Sequence, residues 1–139
     1  MSSVIVEVSG PASPDLAWER YFYPAQWSRW APHISGVTSS TSTLQPGTHG
    51  TVTALGIIRA HFEVVSVNAP SLSWSWTVQL GFSKLVLDHY LSSQPHDHAD
   101  SGTLARIELA GPWLVLVAYR PLMRMAMGRL LRPAIVPEH

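Results

Sequence analysis

Leu72-Ser73-Trp74-Ser75-Trp76-Thr77-Val78-Gln79-Leu80 is the stretch on which the fold turns. Leu72, Trp74, Trp76, Val78 and Leu80 fall on one side, and Ser73, Ser75, Thr77 and Gln79 on the other. Strict alternation of large apolar and small polar residues is the period-two pattern of an antiparallel strand with one buried and one solvated face. Downstream, Gly81 turns the chain into a second strand, Phe82 to Leu91. A polar loop, Ser92 to Gly102, leads to a further strand from Thr103 to Ala110. Upstream, Asn68-Ala69-Pro70 closes a strand from Ile58 to Val67, and Gly56 separates that from Thr51 to Leu55. Pro46-Gly47 marks another turn, before which Val37 to Leu44 has the Ser/Thr content of an edge strand.

The ends of the chain read differently. Residues 3–9 are β-branched and partly alternating, which predicts a first strand ended by Gly10-Pro11. Ser13 with Pro14 then has the form of an N-cap and first helical position. A short helix is expected from Pro14 to Tyr23, and a second from Pro24 to Trp30, before Pro32. After Gly111-Pro112 the period changes again. At 100° per residue Leu116, Tyr119, Met123, Ala126, Met127 and Leu130 gather on one side of a helix reaching Leu131. Arg120, Arg124, Gly128 and Arg132 take the other side, and Pro121 predicts a kink or restart near Arg120. The expected order is one strand, two short helices, about six strands and a long helix.

The 139 residues fit one domain, 1–139, with apolar residues at 46% against 13% charged, so a real core is available. Nine acidic and nine basic residues cancel, which gives no argument for nucleic acid as a partner. Cysteine is absent, which excludes disulfides, thiolate nucleophiles and zinc-thiolate sites. No P-loop, dinucleotide-binding or nucleophile-elbow motif occurs, and no cofactor is expected. The N-terminus lacks a signal-peptide pattern, and the apolar run from Trp113 is interrupted by Arg120, Pro121 and Arg124 well short of the ~20 residues of a membrane span. A cytoplasmic protein without integral membrane association, monomeric or homodimeric, is the expectation.

The order and spacing of several short motifs resemble the START-like or Bet v 1-like (SRPBCC) superfamily, in its polyketide cyclase/dehydrase-like branch. Val4 to Val8 followed by Pro11 or Pro14 and Trp18 looks like its opening strand and helix. Trp27-Ser28-Arg29-Trp30-Ala31-Pro32-His33-Ile34 is similar to its W-x-x-W-x-P-x-I segment. Val64 to Pro70 followed by Leu72-Ser73-Trp74 is similar to its strand, x-x-P turn and L-x-W strand. His89-Tyr90-Leu91, Gly102-Thr103 and Glu108 to Gly111 resemble its last hairpin. The resemblance covers nearly the whole chain and implies an α+β helix-grip fold. In that fold a curved antiparallel sheet of about seven strands wraps a long C-terminal helix and leaves a pocket between them.

Three functions are compatible with such a chain. One is binding or carrying a small hydrophobic molecule, such as a lipid, polyketide or isoprenoid-like compound. The candidate lining is Trp27, Trp30, Trp74, Trp76, His89, Tyr119, Met123 and Met127, because Trp and Met supply large, adaptable apolar surface. The second is a cyclase or dehydratase in which His89, with His61, Arg59 or Tyr90, moves protons and polarises a carbonyl. The third is a protein-interaction module with a collapsed cavity. His89 faces inward if Leu85, Leu87 and Leu91 do. Arg59, His61 and Glu63 alternate with Ala60, Phe62 and Val64, as Arg106 and Glu108 do with Ala105, Ile107 and Leu109. The apolar-in rule puts these charged sets on a solvated face with cross-strand ion pairs, unless a bulge turns His61 inward. His96-Asp97-His98-Ala99-Asp100 is read as a solvated loop rather than a metal site, and no metal is expected. The four arginines near the C-terminus, Arg120, Arg124, Arg129 and Arg132, are read as a solvated helix face, although a membrane surface or another anionic group could also meet them.

Overall fold

The computed structural model describes residues 2–31, 33–56, 58–94 and 102–132. Strand β1 (Ser2–Gly10) is followed by helix α1 (Pro14–Phe22), a 3-10 turn (Pro24–Gln26) and the single-turn helix α2 (Trp27–Trp30). Six strands follow: β2 (Ile34–Ser39), β3 (His49–Ala54), β4 (Ile58–Asn68), β5 (Ser73–Leu80), β6 (Ser83–Ser93) and β7 (Thr103–Gly111). Helix α3 (Trp113–Leu130) closes the order. All pairings are antiparallel, in the spatial sequence β1-β7-β6-β5-β4-β3-β2. The helix-grip architecture expected from the sequence is the one observed.

Local chemistry explains the element ends. The Ser13 hydroxyl accepts from the Leu16 amide at 3.2 Å, so α1 begins with a side-chain cap and Pro14 in its first turn. Tyr23 leaves the helix extended, as a residue before proline prefers. β5 alternates as expected, pairing Trp74 with His89 and Trp76 with Leu87 on β6. On β6, Leu85, Leu87, His89 and Leu91 are all buried. A bulge between Val64 and Ser66 shifts the inward set of β4 from Phe62 and Val64 to Val67 and leaves Val65 exposed. The bulge lies beyond His61, so His61 keeps the outer face.

Helix α3 buries Leu116, Met123, Ala126, Met127 and Leu130; its Arg120 and Arg124 are exposed, its Arg129 is half-buried, and Arg132 beyond its end is exposed. It packs chiefly on β1 and β7 and touches α2. Gly10 allows the closest approach: a Cβ there would sit 2.5 Å from the Leu131 Cβ. The Ala12 amide donates to the Leu131 carbonyl, and the Arg20 guanidinium donates to the carbonyls of Leu130 at 2.6 Å and Arg132 at 2.7 Å. Arg20 thus satisfies the carbonyls that every helix C-terminus leaves open.

Three expectations need correction. The helix does not restart at Pro121 but runs unbroken through it. Pro121 and Val117 both face solvent, where a carbonyl deprived of its intrahelical donor can bond water. The edge strand lies earlier, at Ile34–Ser39, because residues 40–48 form a polar turn in which the Thr41 and Thr48 hydroxyls meet at 2.7 Å. The ion pair of β7 joins Arg106 to Glu108 on the same strand, at 2.8 Å, rather than crossing strands. The segment His96-Asp97-His98-Ala99-Asp100 lies outside the described residues.

Candidate functional site

Because α3 leans toward β1 and β7, the concave face of the strands farther along the sheet is left uncovered by it. A cavity of about 470 Å³ fills that space. Its wall takes Trp74, Trp76, Val78 and Leu80 from the alternating strand, and Leu85, Leu87 and His89 from β6. Met123, Ala126 and Met127 close it from α3, and Trp27, Trp30 and Ala31 from α2 and the residue after it. All eight residues singled out as a candidate lining (Trp27, Trp30, Trp74, Trp76, His89, Tyr119, Met123 and Met127) stand around this one space. Arg59 and His61 do not. Both are exposed on the outer face, where the Thr51 hydroxyl lies 3.3 Å from the His61 Nδ1. Tyr90 is likewise outward and exposed.

Sequence reasoning missed Tyr21, His33, Leu55, Ile58 and Leu114, which also line the cavity. Tyr21 comes from α1, and only the packing of that helix against β6 carries its ring to His89, 5.4 Å away edge-on. The apolar width of α3 was the available signal for Leu114, since its stripe extends past the six residues that alternate most regularly.

The aromatic wall is tightly arranged. His89 stacks on Trp74 with ring centroids 3.9 Å apart and planes at 6°. Trp27 meets Trp76 edge-on at 5.1 Å and Trp74 at 5.9 Å. The Trp27 indole N–H donates to the Tyr21 carbonyl at 2.9 Å, and that of Trp30 to the Arg20 carbonyl at 3.2 Å. By contrast, the indole nitrogens of Trp74 and Trp76 and the Nδ1 of His33 are buried with no hydrogen-bond partner among the described residues.

His89 is the best-defined polar group of the wall. Its Nδ1 lies 3.2 Å from the Trp74 carbonyl, which can only accept, so Nδ1 carries the proton. That leaves Nε2 as the accepting nitrogen. Burial pushes the His89 pKa down to about 3, only partly opposed by the Trp74 bond. Burial lowers that of His33 and raises those of Tyr21 and Tyr119. All four are therefore neutral near pH 7, and among the described residues no Asp, Glu, Lys or Arg lines the cavity. An uncharged, largely apolar space with a few hydrogen-bonding atoms suits an uncharged, largely apolar guest. Among the described residues no cluster of His, Asp and Glu is placed to hold a metal ion.

A sheet gripping a C-terminal helix over an apolar cavity defines a START-like, Bet v 1-like protein. The comparison with family models makes this specific: residues 1–135 match the family described as "Polyketide cyclase / dehydrase and lipid transport", and the chain belongs to it. No curated protein sequence matches the chain. Among solved structures, the chain is similar to Ara h 8.0201 at 16% identity and TM-score 0.68, over 94% of this chain and 97% of that one. It is similar to the hypothetical protein jhp0584 from Helicobacter pylori at 12% identity and TM-score 0.73, over 94% and 86%. It is also similar to truncated norcoclaurine synthase from Thalictrum flavum at 12% identity and TM-score 0.66, over 93% and 91%. At these identities the three share the fold.

Proposed function

We propose that residues 1–139 form one ligand-binding domain that binds and carries a small, uncharged hydrophobic molecule bearing an oxygen function, of lipid, polyketide or isoprenoid-like type. The observation that carries this reading is the cavity of about 470 Å³ with no charged side chain on its wall among the described residues. Apolar burial at roughly 25 cal/mol per Å² supplies the driving force, less the cost of association. The accepting Nε2 of His89, a residue of the cavity wall, supplies hydrogen bonding to a hydroxyl. The family description, which names lipid transport beside cyclases and dehydrases, supports the same class. Zero net charge and the lack of cysteine are in keeping with a cytoplasmic protein that uses neither nucleic acid nor a cofactor.

The enzymatic alternative is less well supported. An imidazole whose pKa is about 3 is a weak base at neutral pH, and Arg59 and His61 lie on the opposite face of the sheet. A volume of this size also weighs against a collapsed interaction module. Native mass spectrometry of the purified protein, followed by denaturation and extraction, tests the reading. A stoichiometric neutral apolar molecule is expected. A bare protein that also ignores hydrophobic fluorescent probes would sink it.

A further inference from the structure

The cavity opens at one end of the molecule, and that end is unusually apolar on its outside. Of the cavity residues, Leu55, Ile58, Leu114 and Ala118 are themselves exposed and form its rim. The antiparallel order places the β3–β4 turn, the β5–β6 turn and the junction of β7 with α3 at the same end of the sheet. These carry Leu55 at 60% exposure, Phe82 fully exposed, Trp113 at 61% and Leu114 at 67%. Val117, one helical turn on from Trp113, is 58% exposed. Large apolar side chains concentrated in this way mark a docking surface rather than ordinary surface scatter.

Leu55 adds a second argument. Its φ is +55°, a left-handed conformation in which a bulky side chain is rare. The Leu55 amide is held there by the His33 carbonyl at 2.9 Å, and the next amide, of Gly56, by the Ser35 hydroxyl at 3.0 Å. Asn or Gly would suit this position better; Leu72 shares the conformation at φ +54° but is half-buried, whereas Leu55 is presented to solvent.

Charge identifies the occupant. Arg59 directly follows Ile58, Lys84 follows the β5–β6 turn, and Arg120 and Arg124 rise from the same outward side of α3 as Trp113 and Val117; all four are exposed. Among the described residues α3 carries no acid, and the nearest acid along β4, Glu63, lies well up the strand from Ile58. A second copy of the chain would set these cations against their own kind. We propose that this end docks on a bilayer containing anionic phospholipid, with Leu55, Phe82, Trp113 and Leu114 entering the headgroup boundary and the four cations meeting phosphates. The rim of the cavity then faces the acyl region. Docking stands independently of whether the cavity carries a ligand.

Vesicle flotation tests this with the full chain. The wild type is expected to partition to phosphatidylcholine vesicles containing phosphatidylserine at least about tenfold better than to phosphatidylcholine alone, and to be released by high salt. Phe82→Ser combined with Trp113→Ser, neither of which lines the cavity, should cut that partitioning about tenfold. The variant should keep the wild-type unfolding midpoint and the wild-type uptake of a hydrophobic fluorescent probe, which separates docking from cavity binding. A wild type that stays in the aqueous phase with both vesicles, or a double variant that floats as well as the wild type, overturns the proposal. So does a dimer in vesicle-free buffer that the double variant dissociates, because the apolar end would then be an interface between copies.

Discussion

Acid should destabilise the protein through one imidazole. In the folded chain burial holds the His89 pKa at about 3, against an ordinary value of 6.5 for the unfolded chain. Between those values the unfolded chain takes up a proton that the folded chain refuses. The associated stability is complete above about pH 6.5 and is lost as pH falls toward about 3. With these two pKa values the loss from pH 7 to pH 5 is about 2 kcal/mol, and each further pH unit removes up to about 1.4 kcal/mol. That is a large part of the ~5–15 kcal/mol typical of a domain. His33, lowered by burial, acts in the same direction, while the ordinary carboxylate range lies below the pH 5 end of the measured interval. Substituting His89→Phe removes the titration and retains a flat ring against Trp74. It also removes the hydrogen bond to the Trp74 carbonyl, a loss of about 1 kcal/mol that does not vary with pH. Urea unfolding at pH 7 and pH 5 measures the slope. The wild type should lose about 2 kcal/mol more than the variant. Equal losses in both proteins would mean that His89 titrates alike folded and unfolded, and the account of a buried neutral imidazole would be wrong.

Other predictions concern packing. Gly10→Ala should destabilise by about 1–3 kcal/mol in chemical denaturation, because the new methyl meets the Leu131 Cβ where α3 ends on β1. Gly128→Ala on the exposed side of α3, with nothing within 4 Å of the added Cβ, should stabilise by about 0.5–1 kcal/mol. Arg20→Met should cost about 1–3 kcal/mol and raise amide exchange in the last turn of α3, since two carbonyls lose their charged donor. Ala118→Trp at the rim should slow uptake of a hydrophobic probe in stopped flow while leaving the unfolding midpoint near that of the wild type.

Local patterning carried much of the fold. The alternation of β5 and the helical stripe of α3 both appear in the structure with the expected inward residues, because side-chain direction in a regular element depends only on period. His89 followed its leucine neighbours inward for the same reason. Parity also kept Arg59 and His61 out of the cavity, the β4 bulge falling three residues too late to turn His61 in. Positions fixed by long-range packing were not legible. Tyr21 reaches the wall only because α1 lies across β6, and Leu55 reaches the rim only because two turns and a helix start share one end of the sheet. The left-handed conformation of Leu55 left no trace in composition, since its residue type argues against that conformation.

The placement of polar groups discriminates between carrier and catalyst better than their number does. A chain with seven histidines and nine basic residues had the means to build a charged pocket. Arg59, His61, Arg106 and Glu108 instead share the outer face, and among the described residues the ionisable groups of the cavity wall are ones that burial holds neutral. At pH 7 an imidazole of pKa about 3 is protonated in roughly one molecule in ten thousand, so it gives up almost nothing as an acid. As a hydrogen-bond acceptor it loses nothing by the same shift: Nδ1 is committed to the Trp74 carbonyl, and Nε2 is unprotonated across the physiological range. The same burial that weakens His89 as a catalyst keeps it neutral, the bond to Trp74 fixes its tautomer, and together they suit it to the acceptor role proposed for it. A buried carboxylate guest would find no counter-charge on this wall, whereas a neutral alcohol would find both an apolar surface and a partner.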